Sequence, residues 1–205
     1  MTRLNVISSY ISEGDKVIDV GCDMALLSKL LAKRNIYSIA SDINQNIINR
    51  AYDSTSDYLK KYIDFRVGNG ITLKNNEINF IVVISGMGTH NILNIIKNDK
   101  NDYKKIITLS NNKYYELRKG MSSLGYKIIE EEIIKERNKY YNLIVFTKGI
   151  SKLSEEDLII GISHNNKALL KEYNEFLIKK YYEILNKYNN EKLVNVINIL
   201  KNYKY

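Results

Sequence analysis

Acidic residues and a glycine lie where the first two apolar runs of this chain end. Asp19 lies within the first run, Gly21 and Asp23 follow it, and Asp42 ends the second. Gly21 has no Cβ, so a ligand can approach the backbone closely at this turn. A carboxylate beside the turn can receive an ammonium group, and one about 20 residues later can accept hydrogen bonds from ribose hydroxyls. The spacing therefore predicts a site for a small ligand.

Two further turns after apolar runs carry small and polar residues. Gly68-Asn69-Gly70 follows the third run, and Ser85-Gly86-Met87-Gly88 follows the fourth. The Asn69 amide both donates and accepts, so it can bind an adenine amino group. Small residues at the fourth turn let a flat base come close, and Met87 can pack against a ring. Because the turns occur in order with compatible chemistry, we expect them to form one site.

Each of these turns also has a purely structural interpretation. Asp42 precedes a helical run and can cap it, and Asn-Gly is a favoured turn dipeptide. Asp19 is expected to orient the first loop, whereas Asp23 is expected to bind the ammonium group. A dinucleotide site is disfavoured, because the sequence lacks the G-x-G-x-x-G pattern that brings a helix N-terminus to a pyrophosphate.

The elements that must position these turns alternate along the chain. Strands are predicted at Lys16–Val20, Tyr37–Ser41, Ile63–Val67, Phe80–Ser85 and Lys105–Leu109, with helices around Ala25–Lys33, Asn44–Tyr58, Asn91–Lys97 and Tyr114–Leu124. Such alternation predicts a parallel sheet. Two further runs, Tyr126–Lys135 and Tyr140–Lys148, flank a polar tetrapeptide and predict an antiparallel hairpin. The expected fold class is therefore α/β, with a Rossmann-like seven-stranded sheet.

The pattern changes after Gly149. Ser154, followed three residues later by Asp157, has the form of a helix capping box. Two apolar stripes at helical spacing come next, formed by Leu169, Tyr173, Leu177, Tyr181, Ile184 and Tyr188 and by Leu193, Val196, Ile197 and Leu200. They predict an antiparallel helical hairpin whose tyrosines pack in a core, with stacking of the tyrosines on bases as the alternative. We expect a main domain at 1–149 and a helical domain at 150–205.

Charge and cysteine content narrow the partners and the compartment. The chain carries 31 Lys and Arg against 23 Asp and Glu, a formal net charge of +8. This favours a polyanionic partner such as nucleic acid, although abundant Lys, Asn and Ile are also typical of an AT-rich genome. Cys22 is the only cysteine, so an internal disulfide is impossible and a cytoplasmic location is expected. No apolar run reaches the roughly 18 residues of a membrane span, and a metal site is not expected.

With these motifs in place, the chain resembles the bacterial tRNA (adenine-N1)-methyltransferases that act on adenine 22 in the D-arm region of tRNA. The matching features run over nearly the whole chain. They are Arg3-Leu4, Asp19-Val20-Gly21-Cys22-Asp23 with Ala25, Ala40-Ser41-Asp42, Gly68-Asn69-Gly70, Ser85-Gly86-Met87-Gly88, Leu117-Arg118, Gly125-Tyr126 with Glu130, and Lys139-Tyr140-Tyr141. The Gly-Met-Gly element after the fourth strand is the most specific.

The resemblance implies a catalytic domain at 1–149 that binds S-adenosylmethionine (SAM), followed by a small helical domain. The implied SAM-binding residues are Asp19, Gly21, Cys22, Asp23, Asp42, Ile43, Gly68, Asn69, Gly70 and Ser85. The implied catalytic residues are Asp23, Ser85, Gly86, Met87 and Gly88, with Asp23 also placed to stabilise a cationic product. Candidate tRNA contacts are Arg3, Arg118, Tyr140 and Tyr141. The partner implied is tRNA, without a membrane or a metal, and the protein is expected to be a monomer or a weak dimer.

The chain departs from the family pattern directly after the first glycine turn. The family has a histidine and a tyrosine where this chain has Met24 and Leu26, and Tyr140 or Tyr141 is the candidate replacement. Two alternatives therefore stay open. One is a SAM-dependent enzyme for another RNA or another substrate, and the other is a tRNA-binding relative that has lost catalysis. A helical interaction protein would leave the ordered strand-end residues unexplained.

Overall fold

A computed structural model describes residues 2–162 and 164–205, and seven strands of the described chain form one mixed sheet. The strands are β1 (Lys16–Val20), β2 (Tyr37–Asp42), β3 (Ile63–Val67), β4 (Ile81–Ser85), β5 (Lys105–Leu109), β6 (Tyr126–Glu136) and β7 (Lys139–Lys148). Their order is β3-β2-β1-β4-β5-β7-β6, with β1 to β5 parallel and the hairpin antiparallel. The predicted fold class is confirmed.

The central strands consist almost wholly of buried apolar residues. Val17, Ile18, Val82 and Val83 have essentially no exposed surface, because helices cover both faces of the parallel part of the sheet. The helices are α1 (Arg3–Ser9), α2 (Leu26–Ala32), α3 (Gln45–Asp53), α4 (Asp57–Lys60), α5 (Thr89–Asn98), α6 (Tyr114–Ser123), α7 (Glu155–Ile160), α8 (Lys167–Leu185) and α9 (Glu191–Asn202). No helix among these residues is long and apolar enough to cross a membrane.

One predicted helix is divided in the structure. The run 44–58 was expected to be continuous, but α3 ends at Asp53 and α4 begins at Asp57. The Ser54 hydroxyl donates to the Arg50 carbonyl at 2.7 Å, and the Thr55 hydroxyl donates to the Ala51 carbonyl at 2.6 Å. Hydroxyls that bind carbonyls of the preceding turn compete with the helix ladder and favour its end.

The turn of the β6–β7 hairpin lies at the carboxyl edge of the parallel strands. Leu143 of β7 pairs with Leu109, the last residue of β5, so the chain that precedes Leu143 projects past that edge. Arg137 and Asn138 form the turn, with φ of 48° and 61°. Two successive left-handed residues are typical of the tight turns that suit twisted strands. The turn thereby reaches the edge at which ligands of open α/β sheets bind.

The C-terminal helices pack on the hairpin and on each other. Tyr173 is buried in a cluster with Ile133 of β6, Leu170 of α8 and Leu200 of α9. Core packing of the tyrosine stripe is therefore observed for Tyr173, whereas Tyr188 at the far end is 71% exposed. The capping box predicted at Ser154 is present. α7, which belongs to the predicted helical domain, packs against α6 of the sheet region. The division into two domains at residue 149 stays a prediction.

Candidate active site

A cavity of about 790 Å³ opens at the carboxyl edge of the parallel strands. Its lining residues come from the ends of β1, β2, β3 and β4 and from one face of α5, and are Val20, Gly21, Asp42, Ile43, Gly68, Asn69, Gly70, Ile71, Ser85, Gly86, Met87, Asn91, Asn94, Ile95, Asn98 and Asp99. The four turns singled out in the sequence therefore meet in one place. Its volume is within the range of small-molecule sites.

The loop after β1 lies directly against the loops after β2 and β4. The backbone N–H groups of Gly21 and Cys22 both donate to the Ser41 carbonyl, at 2.8 and 3.0 Å. Gly21 has φ of 72°, and a Cβ added there would overlap with Cε of Met87. Gly21 thus suits the left-handed turn and leaves room for the end of the Met87 side chain. Burial raises the pKa of the Cys22 thiol to about 12, so Cys22 contributes its backbone and not a thiolate.

Replacement of Gly21 with alanine is expected to weaken cofactor binding by about tenfold, because its methyl group displaces Met87, which lines the cavity. The roughly 1–2 kcal/mol cost of a left-handed alanine lowers the stability of Gly21→Ala and of its control alike. Gly14→Ala is the matched control, since Gly14 has φ of 82° and nothing within 4 Å of an added Cβ. Isothermal titration should show near wild-type affinity for Gly14→Ala. Equal affinities in both variants would contradict the assignment of Gly21.

Asp19 lies buried beneath this loop, with 5% of its surface exposed. Burial raises the pKa of Asp19 from 3.8 to about 7, the Ser28 hydroxyl opposes the rise, and the negative charge of Asp42 adds to it. The carboxyl is therefore largely protonated below neutral pH. This state suits a residue that orients the loop from below.

The contribution of Asp19 to the stability of the protein should fall as the pH rises from about 4 to about 7. Across that interval Asp19 is ionised in the unfolded chain but keeps its proton in the folded one, so deprotonation favours unfolding. Asp19→Asn, which mimics the protonated carboxyl, is expected to flatten this dependence. Urea unfolding in acidic and in slightly alkaline buffer measures it, with exposed Asp53→Asn as the control. An unchanged pH dependence in Asp19→Asn would contradict the prediction.

Asp42 ends β2 and lines the cavity. Its Oδ1 accepts a hydrogen bond from the Asn44 N–H at 3.0 Å. The cap of α3 is Asn44, whose own side chain accepts from the Asn46 N–H at 2.9 Å. Asn44 and not Asp42 therefore caps α3, and Asp42 lines the cavity.

The Gly86-Met87-Gly88 loop is fixed by the loop that follows β5. The Asn111 side-chain amide donates to the Gly86 carbonyl at 2.6 Å, and the Asn111 N–H donates to the Met87 carbonyl at 3.0 Å. The Thr89 and Ser110 hydroxyls are 2.9 Å apart and buried. This support holds Ser85, Gly86 and Met87 at the cavity, whereas Gly88 lies outside its lining.

A second cavity, of about 530 Å³, adjoins the first. It is lined by Thr2, Arg3, Leu4, Asp19, Gly21, Cys22, Asp23, Met24, Leu26, Leu27, Ser85, Gly86, Glu136 and Arg137. Gly21, Ser85 and Gly86 line both cavities, so these residues form the boundary at which two ligands can meet. Met24 and Leu26, the positions that differ from the family pattern, give the second cavity an apolar wall, and Leu26 is 57% exposed.

Opposite this wall, Arg3 and Glu136 form an ion pair. The Arg3 N–H and Nε donate to the two Glu136 carboxylate oxygens, at 3.2 and 2.7 Å. The Arg3 guanidinium carbon lies 4.3 Å from the centre of the Tyr141 ring. Desolvation opposes ionisation of Glu136, but the hydrogen bonds from Arg3 and the charges of Arg3 and Arg137 outweigh it and lower the pKa of Glu136. Glu136 is therefore an anion at neutral pH.

Of the four candidate tRNA contacts only Arg3 lines a cavity, and Arg118, Tyr140 and Tyr141 line neither. Arg118 is completely buried, and its Nη2 donates to Glu131 at 2.8 Å, so the prediction that it contacts tRNA is corrected. Arg118 instead joins α6 to β6. Tyr140 faces α8, where its hydroxyl donates to Glu172 at 2.6 Å and its ring packs on Tyr173. Tyr140 therefore does not replace the missing aromatic, whereas Tyr141 lies beneath Arg3.

Sequence reasoning missed the face of α5 that lines the first cavity. Asn91, Asn94 and Asn98 recur at intervals of three and four, which places their amides on one face of α5 beside Ile95. These asparagines could have been predicted from their helical spacing in the helix that directly follows the Gly86-Met87-Gly88 turn. Glu136 and Arg137 carried no such signal, because they were interpreted only as hairpin turn residues.

Comparisons with known proteins agree with this geometry. A family model described as a methyltransferase domain matches residues 1–144. A putative tRNA methyltransferase of Mycoplasma genitalium is 29% identical over 192 residues, covering 88% of this chain and 85% of the relative. The tRNA (adenine(22)-N(1))-methyltransferase of Bacillus subtilis is 25% identical over 191 residues, covering 89% and 80%.

A solved structure matches over almost the full length. The structure of M. capricolum TrmK in complex with S-adenosyl-homocysteine, described there as the natural cofactor product, is 30% identical and superposes with a TM-score of 0.83. The match covers 99% of this chain and 96% of that one.

Proposed function

Because the chain belongs to the TrmK family of class I SAM-dependent methyltransferases, we propose that it methylates N1 of an adenine in tRNA, at the position corresponding to adenine 22. The observation that carries the proposal is the pair of adjoining cavities at the carboxyl edge of the sheet, which share Gly21, Ser85 and Gly86 and together offer room for a cofactor and a base. The names of relatives that act on tRNA support the choice of substrate, and the net charge of +8 is compatible with it.

The residues present fit SAM. Asp42 lines the first cavity, where its carboxylate can accept hydrogen bonds from ribose hydroxyls. Asn69 and the asparagines of α5 line the same cavity, and their amides can bind the adenine edge. Asp23 lies in the second cavity, beyond Gly21, where it can bind the ammonium of the methionine moiety. The cradle at Gly21 depends on the absence of a Cβ.

The reaction needs little beyond alignment. When bound, SAM supplies an electrophilic methyl carbon: the adenine N1 lone pair forms the new C–N bond while the electrons of the broken C–S bond stay on sulfur. The backbone of Ser85 and Gly86 separates the two cavities and positions the incoming base. Alignment of this kind supplies most of the acceleration, since adenine N1 needs no general base. The target base must also be turned out of its stack to reach the cavity.

Incubation of the purified protein with tRNA and SAM tests the proposal. We expect a new primer-extension stop at one adenine, because N1 methylation blocks pairing, and a mass increase of one methyl group in the corresponding nucleoside fragment. Binding of the same tRNA should weaken steeply as salt rises, as counterion release requires. Methylation of another nucleotide would favour a different RNA specificity, whereas tRNA binding without methylation would favour a relative that has lost catalysis.

A further inference from the structure

The far wall of the second cavity carries a carboxylate that the cofactor site does not use. Asp19 lies in β1 and Asp23 in the loop that follows it, whereas Glu136 is the last residue of β6, next to the hairpin turn. The hairpin brings Glu136 to the same cavity as Ser85 and Gly86, which form the boundary with the cofactor cavity. Glu136 therefore faces the space left for the substrate base.

Arg3 fixes the orientation of this carboxylate. Each Glu136 oxygen accepts one hydrogen bond from Arg3, and the Arg3 guanidinium is itself held over the Tyr141 ring. A carboxylate oxygen can accept two hydrogen bonds, so each oxygen keeps capacity for a ligand donor. The side chain is also 21% exposed, which leaves it reachable from the cavity.

The chemistry of this group matches one edge of adenine. An ionised carboxylate only accepts hydrogen bonds. Beside its nucleophilic N1, adenine presents a 6-amino donor, whereas guanine presents the O6 acceptor at the same position. Methylation at N1 also gives the ring a positive charge, so a contact with an anion becomes stronger as the reaction proceeds.

We propose that Glu136 selects adenine by accepting a hydrogen bond from its 6-amino group, with Arg3 as the positioning residue. This assignment rests on the proposed function. It places the selection of the base on the hairpin turn, opposite the apolar wall formed by Met24 and Leu26.

A comparison of two substrates in two enzymes tests the contact itself. The substrates are one tRNA with adenine at the target position and the same tRNA with purine there, which keeps N1 but lacks the 6-amino group. Wild type and Glu136→Gln are compared in single-turnover reactions with enzyme in excess. The lower nucleophilicity of purine N1 slows both enzymes equally, so it cancels when their adenine-to-purine rate ratios are compared.

We expect the wild-type ratio to exceed the Glu136→Gln ratio by about tenfold, because glutamine keeps an acceptor oxygen but loses the negative charge that strengthens the hydrogen bond. SAM affinity of Glu136→Gln should stay within about twofold of wild type by isothermal titration. Glu132→Gln is the matched control: it lies on the same strand, where its carboxylate accepts from the Tyr10 hydroxyl at 3.1 Å, and it should keep the wild-type ratio.

Equal ratios in wild type and Glu136→Gln would overturn the assignment. If Glu136→Gln binds SAM but methylates neither substrate, Glu136→Asp is measured in its place. The shorter side chain withdraws the carboxylate from the base, so an adenine-to-purine rate ratio equal to that of wild type would again overturn the assignment. If the wild type does not methylate the adenine-containing tRNA, the proposed function is overturned. This one reaction distinguishes failure of the proposed function from failure of the Glu136 assignment.

Discussion

Replacement of Arg118 with alanine is expected to lower the free energy of unfolding by about 3–5 kcal/mol, the range found when one partner of a buried ion pair is removed. Arg118 and Glu131 are both fully buried and are joined by three hydrogen-bond contacts of 2.8–3.2 Å. Arg118 also donates to the Leu158 carbonyl at 2.8 Å, at the end of α7. Its loss leaves the buried Glu131 charge without its cation, with the Ile162 N–H still donating to Oε1 at 3.3 Å.

Urea unfolding followed by circular dichroism measures this effect. Asp57→Ala is the matched control, because the Asp57 side chain is 98% exposed in its ion pair with Lys60, and exposed pairs contribute roughly 0–1 kcal/mol. The double replacement Arg118→Met with Glu131→Leu should regain part of the loss, since it removes the buried charge. A loss below about 1 kcal/mol in Arg118→Ala would contradict the structural role.

Replacement of Asp42 with alanine is expected to weaken SAM binding by about 10- to 100-fold. Hydrogen bonds to a charged group contribute about 1.5–3 kcal/mol, which corresponds to that loss of affinity. Asp42→Asn keeps an acceptor for the Asn44 N–H but removes the negative charge. It should therefore give an intermediate affinity, separating ribose binding from the local turn.

Isothermal titration with SAM tests the Asp42 series. Asp53→Ala, which removes an exposed carboxylate at the end of α3, serves as the control and should bind like wild type. Unfolding midpoints of all variants show whether the fold is kept. Wild-type affinity in a folded Asp42→Ala would contradict the placement of the ribose and, with it, the orientation of the cofactor.

Local patterns determined the elements and the cofactor side of the site. The bounds of β1, β3 and β5 were predicted to the residue. β1 and β5 are mostly buried apolar runs, as central parallel strands require, whereas β3 is an edge strand in which Asp64 and Arg66 alternate with apolar residues. The glycines and polar residues of the site lie within a few residues of a predicted strand, so they could be identified locally. In a parallel sheet the carboxyl ends of the strands meet at one edge. The predicted convergence of Gly21, Asp42 and Asn69 followed from those two facts.

Contacts between distant segments were decided only by the tertiary structure. Arg3 and Glu136 are 133 residues apart and meet because the hairpin turn reaches the edge where α1 begins. Arg118 was a candidate tRNA contact, but it is completely buried where α7 packs on α6. A single sequence records side-chain type and local period, whereas burial and partnership depend on how elements cross. The turns at the strand ends could therefore be predicted from sequence, whereas the pairing of Arg3 with Glu136 at the second cavity could not.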